Sequence, residues 1–164
     1  MTDYTEIVRE LAEEKFTEIF QASGRKAKET YFARHQIKAK SSRRHRRPGD
    51  KTRERIVRLF NLLKEHQDDE MVEEILRVWL LSKRPMLAAA LDHLGIEHDD
   101  GLTESDDLSK ITGLGEDDLT ILVGKLKEVA SVADIEVYLK YLGVSDSAKA
   151  LEGELAHSDH DLTI

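Results

Sequence analysis

The chain has 164 residues, of which 40% are hydrophobic, 35% charged and 5% aromatic, with a net charge of -8 and no cysteine. That length suits roughly one domain of about 100–200 residues, and the apolar content excludes wholesale disorder. Without cysteine the chain makes no disulfide, thiolate metal site or thiol nucleophile. It also carries no apolar signal segment and no run of about 18 apolar residues, so a reducing cytoplasm and no membrane are expected.

The charge is unevenly spread. Residues 25–58 hold 14 Lys and Arg against 3 acids, a net of +11, and the rest holds 11 basic and 30 acidic residues, a net of -19. Blocks of this kind mark interaction surfaces.

In chain order, apolar spacing predicts a first helix from Thr2 or Asp3 to about Gln21, carrying Tyr4, Ile7, Val8, Leu11, Phe16, Ile19 and Phe20, with Gly24 as its stop. Lys15 interrupts the stripe and fits if its stem lies along the apolar face. A second helix is expected over 25–40 with Tyr31, Phe32 and Ile37 as anchors. Residues 41–49, from Ser41 through Arg43, Arg44, His45, Arg46 and Arg47 to Pro48 and Gly49, read as an exposed linker.

Asp50 or Thr52 then caps a helix reaching about His66 with Ile56, Val57, Leu59, Phe60, Leu62 and Leu63. The next runs from Asp69 to Ser82, is apolar almost all round by its end, and makes Trp79 the expected core reporter. Pro85 opens a helix closed by Gly95, and 97–103 reads as a loop. A helix from Glu116 carries Leu119, Leu122, Val123, Leu126 and Val129. A last main helix spans Ser131 to Leu142 and stops at Gly143. A short helix to about Leu155 and a loose tail from Ala156 complete the chain.

Shifting the chain by 48 residues places Met71 on Leu119, Leu87 on Ile135, Leu91 on Leu139, Gly95 on Gly143 and Ile96 on Val144. A true duplication would make two stacked helical hairpins, although any two amphipathic helices with glycine stops align similarly. The fold class expected is all-α and multi-helical. Its parts are an N-terminal segment over 1–40, a basic linker over 41–49, a compact helical core over 50–155 and a tail over 156–164.

Three features bear on function. The basic residues Arg34, Lys38, Lys40, Arg43, Arg44, Arg46, Arg47, Lys51 and Arg53, within 34–58, are dense enough to bind a phosphate backbone. No aromatics are interleaved to stack bases, so reading of single strands is not suggested. The plain alternative is a solvated arm pairing with the protein's own acidic half or that of another copy.

Second, Ile111, Thr112, Gly113, Leu114 and Gly115, followed by a helix, resemble the helix-hairpin-helix element over about 107–142. The resemblance implies that Gly113 and Gly115 form the tight turn and that Ile111 and Leu114 anchor it. Where phosphate-binding members carry basic or small polar residues, this chain has Glu116, Asp117 and Asp118, which points to a structural hairpin or protein contact.

Third, His93, His98, Asp99 and Asp100, and in the tail His157, Asp159, His160 and Asp161, are metal-ligand types. Asp99-Asp100-Gly101 is more simply a turn.

No phosphate loop, nucleophile elbow or helical His-Glu-x-x-His is present. The expectation is therefore a non-enzymatic helical interaction protein with no cofactor, no bound metal and no small-molecule substrate. Its partner is another protein or, through Ile7, Leu11, Phe16, Ile19 and Phe20, a second copy. The alternative is nucleic acid held by the basic segment, and a helical metalloprotein or enzyme centred on His93 and His98 is the most remote reading.

Overall fold

The computed structural model describes residues 3–38, 48–103 and 110–144, and of 48–51 the backbone alone. Among the described residues the chain is all-helical: α1 Tyr4–Arg9, α2 Glu13–Gln21, α3 Arg25–Arg34, α4 Pro48–Leu63, α5 Asp69–Leu81, α6 Arg84–His93, α7 Glu116–Leu126 and α8 Val132–Tyr141. No strand is formed among them, and one isolated bridge joins Asp99 to Leu102. No helix among them is long and apolar enough to cross a membrane.

The single first helix expected over 2–21 is two. The apolar residues Ile7, Val8 and Leu11 point in one direction, while Phe16, Ile19 and Phe20 are rotated from it by roughly a third of a turn at about 100° per residue. One straight helix cannot bury both sets. The break falls at 10–12, where Ala12 is extended (ψ 149°) and becomes the N-cap of α2. Lys15, expected to lay its stem along the apolar face and reach water with its head, instead has its ammonium 5.1 Å from the centre of the Trp79 ring and 2.8 Å from Glu18, and its side chain is 16% exposed.

Two compact units result, Asp3–Ser82 and the residues from Lys83 on. In the first, α1 and α2 pack on α4 and α5. Phe20 lies at the centre of an aromatic cluster, 5.8 Å from Phe16, 5.3 Å from Phe32 and 6.1 Å from Tyr31, and Phe16 stacks on Phe60 at 5.2 Å. Trp79 is buried, as expected. This division differs from the expected one: the 1–40 segment is no separate piece, because its apolar side chains complete a core with α4 and α5. The expected linker lies mostly outside the described residues, and its end, Pro48 and Gly49, is the start of α4, where a proline without an N–H donor costs no helical bond.

In the second unit α6 packs on α7, around Leu87, Leu91, Leu119, Leu122, Val123, Leu126, Ile135 and Leu139. Val129, expected on the apolar face of α7, follows the end of that helix and is 48% exposed; in the first unit Leu81, the last residue of α5, is 38% exposed.

Three helices end in the same way. Ile37, Ile96 and Val144 donate their N–H back to the carbonyls of Phe32, Leu91 and Leu139 at 2.8–3.0 Å, and each of these six residues is buried. The residue before each donor has positive φ: Gln36 (57°), Gly95 (68°) and Gly143 (77°). This cap needs a left-handed residue followed by an apolar one, and it accounts for the shared Leu-Gly-β-branched endings of the 48-residue repeat. It also stops α3 at Arg34, short of the expected Lys40. The repeat does not follow the compact units, since α5 belongs to the first and α6 to the second.

Candidate interaction site

The residues expected to form an oligomer contact are already covered. Phe16, Ile19 and Phe20 are fully buried and Ile7 nearly so within their own unit, and Leu11 alone is partly exposed. That expectation is corrected: the apolar face exists, but α4 and α5 of the same chain cover it.

Of the basic residues, Arg34 is engaged inside the first unit and Arg53 is exposed. Lys38 is exposed, with its carbonyl accepting from Arg58 at 2.7 Å. The side chains of Lys40, Arg43, Arg44, Arg46, Arg47 and Lys51 lie outside the described residues. Arg55 is a clamp: its guanidinium lies 4.1 Å from the centre of the Phe32 ring and donates to both carboxylate oxygens of Glu29, at 2.9 and 3.0 Å. That bidentate bond, more than charge at a distance, holds the Glu29 carboxyl below its ordinary value.

A polar hub joins three helices around Asp68, whose side chain is 6% exposed. Its Oδ1 accepts from Arg34 Nη2 at 2.9 Å and from the Met71 N–H at 3.3 Å, capping α5, and its Oδ2 is 2.8 Å from His35 Nε2. Its own N–H donates to the Thr5 hydroxyl at 3.1 Å. Thr5, fully buried, donates both hydroxyl and amide to Asp69 Oδ1, at 2.6 and 2.9 Å. Burial works to raise the Asp69 carboxyl, but these bonds and one from Gln67 outweigh it and hold the carboxyl below its ordinary value. The sequence marks Asp68 only as a helix boundary, and nothing local joins it to Thr5, Arg34 or His35.

The 93–100 cluster forms a turn. Asp100 (φ 50°) and Gly101 (φ 87°) are the two left-handed positions of a tight reversal, with Asp99 and Leu102 exchanging backbone bonds at 2.9 and 3.0 Å. His98 braces it: Nδ1 accepts from the Gly101 N–H at 2.9 Å, which places the ring proton on Nε2, 2.6 Å from Asp92. Both ring nitrogens are occupied and His93 is exposed. No group of His, Asp and Glu among the described residues is arranged to hold a metal ion; the tail cluster lies outside them. A Cβ on Gly101 would stand 2.8 Å from Leu87 Cβ and 3.1 Å from the Ala88 nitrogen. Gly101→Ala is therefore expected to destabilise the second unit by roughly 2–4 kcal/mol, from strain at positive φ plus overpacking, measurable by urea unfolding followed by circular dichroism.

At the hairpin-like turn, residues 110–112 are helical, Ile111 is buried and α7 starts at Glu116 with Gly115 as N-cap. Glu116, Asp117 and Asp118 are exposed in its first turn, where their charge suits the helix dipole. No protein family, curated protein or solved structure matches this chain. Function must be read from the two units themselves.

The second unit also holds a buried titratable group, Tyr138, whose hydroxyl burial pushes up to about 12. An unfolded tyrosine ionises near 10 and so loses its proton first. Stability contributed by Tyr138 is full below pH 10 and is lost as pH rises toward 12, at about 1.4 kcal/mol per pH unit. Tyr138→Phe is expected to flatten that alkaline slope, read by unfolding at several pH values beside a tyrosinate absorbance titration.

Proposed function

We propose that the chain is a non-enzymatic helical interaction protein that self-associates through segregated charge, and not through the apolar face of α1 and α2. The observation that carries this reading is that charge follows the compact units. Residues 1–82 hold 18 basic and 15 acidic residues, a net of +3, while residues 83–164 hold 7 and 18, a net of -11. The second unit exposes Asp92, Glu97, Asp99, Asp100 and the three acids of α7, whereas the first exposes Arg25, Lys26 and Arg53 beside acids such as Glu13, Glu14 and Glu18, its positive balance coming from residues 40–51 of the sequence. Copies bearing surfaces of both signs attract one another at low salt, and the attraction fades as the screening length falls to about 3 Å at about 1 M salt. Sedimentation velocity at low and high salt tests the reading. A species heavier than the 18.7 kDa monomer that dissociates with salt supports it, and a monomer throughout overturns it.

Nucleic acid is the second reading, favoured by the exposed Arg25, Lys26, Lys38 and Arg53 within the +11 window. Arg34 adds little to it, being committed to Asp68. Titration with labelled duplex across a salt series separates the two: phosphate binding weakens linearly in log affinity with log salt.

A further inference from the structure

We infer that the outward face of α7, centred on Ile121, docks against the start of α3 in a second copy of this chain; this rests on the self-association proposed above and names its surfaces. Ile121 is 54% exposed, the most exposed large apolar residue among those described. Leu119, Leu122, Val123 and Leu126 already bury the apolar stripe of α7, so packing within the unit does not account for it. Helical spacing puts Asp117, Ile121 and Lys125 on one line with Asp118 beside it, and all four are exposed. An apolar centre with a charged rim is the make-up of an interface patch.

The start of α3 is its complement. Arg25 and Lys26 are exposed there, no acid lies in the first turn, and the N-cap Gly24 offers no side chain. Cations at the positive end of a helix dipole are unfavourably placed, and carboxylates from outside would relieve them. Beside them is an open hollow of about 480 Å³ lined by Gly24, Lys26, Ala27, Thr30, Tyr31 and Glu74. Its size accepts a branched aliphatic side chain. Ile121 would seat in the hollow, Asp117 and Asp118 would face Arg25 and Lys26, and Lys125 would face Glu74. Each sign on one surface meets its opposite on the other, including the single cation on α7 and the single anion at the hollow. Such a contact is heterologous, so it closes as a pair when made twice about a two-fold axis and otherwise propagates.

The test is sedimentation equilibrium of the full chain at low salt with two charge-reversed variants, Asp117→Lys with Asp118→Lys, and Arg25→Glu with Lys26→Glu. These positions are exposed, and circular dichroism checks that helicity is kept, because Asp117→Lys with Asp118→Lys also gives up charges that suit the α7 dipole. Each variant alone is expected to associate at least tenfold more weakly than the parent, and an equimolar mixture to recover association through the two restored pairings. Ile121→Ser should weaken association without altering its salt dependence. If the parent associates but the variants keep its affinity, or the mixture fails to recover, the inference falls and self-association stands. A parent chain that is monomeric at every concentration, as docking within one chain would give, overturns both.

Discussion

Phe16→Asp is expected to unfold the first unit, not to split an oligomer. Phe16 is fully buried, stacks on Phe60 at 5.2 Å and lies 5.8 Å from Phe20. Losing a core phenylalanine costs about 3–5 kcal/mol. An ionised carboxylate left in that apolar site adds several more, unless it takes up a proton. A unit of 80 residues has a total stability of about 4–12 kcal/mol, so the substitution removes most or all of it. Trp79, buried in the same unit, reports the loss by fluorescence, and circular dichroism should fall with it. Leu11→Asp is the control. Leu11 belongs to the same predicted apolar face but is partly exposed, and its change should cost about 1 kcal/mol or less. Retained helicity with a lower mass in Phe16→Asp would restore the idea of an N-terminal oligomer contact.

The contrast between Phe16 and Leu11 shows what the sequence could and could not convey. Apolar spacing located α4, α5, α7 and α8 because each buries one stripe against its own unit, and the glycines expected to stop two helices, Gly95 and Gly143, are left-handed caps. The break between α1 and α2 was legible only as a phase shift. Periodicity shows that apolar residues recur but not that the recurrence rotates, unless Lys15 in the stripe is taken as a sign of it. The stop of α3 was hidden because Gln36, without the freedom of glycine, takes the left-handed position.

Charge was only partly legible for a different reason. Counting 14 basic residues in one window treats each as available, yet Arg34, Arg55 and Arg58 have partners 34, 26 and 20 residues away. No local pattern encodes such pairings. Ile121 is the converse: it falls outside the predicted apolar set of α7, and that exclusion was the available sign that it faces outward.

Asp68→Ala is expected to cost the first unit about 3 kcal/mol or more. The loss has three parts. An N-cap carboxylate replaced by alanine costs about 1 kcal/mol, here the bond from the Met71 N–H at 3.3 Å. Charged hydrogen bonds contribute about 1.5–3 kcal/mol, and Asp68 accepts one from Arg34. His35, whose side chain is 16% exposed, also loses its partner and cannot reach water freely. Arg34 is 46% exposed and can turn to solvent, which keeps its share near the lower end. Asp68→Asn separates these parts, since the amide oxygen can still cap α5 while the charge is gone. It should cost less than Asp68→Ala and show a weaker dependence on salt. Urea unfolding of both variants, followed through Trp79, measures the difference. If Asp68→Ala unfolded at the parent's urea midpoint, the hub would be incidental and the first unit held by its aromatic core alone. An effect of the expected size means that α1, α3 and α5 are joined by polar bonds as well as by the Phe16, Phe20 and Phe32 cluster, which fixes the α3 surface that a partner would meet.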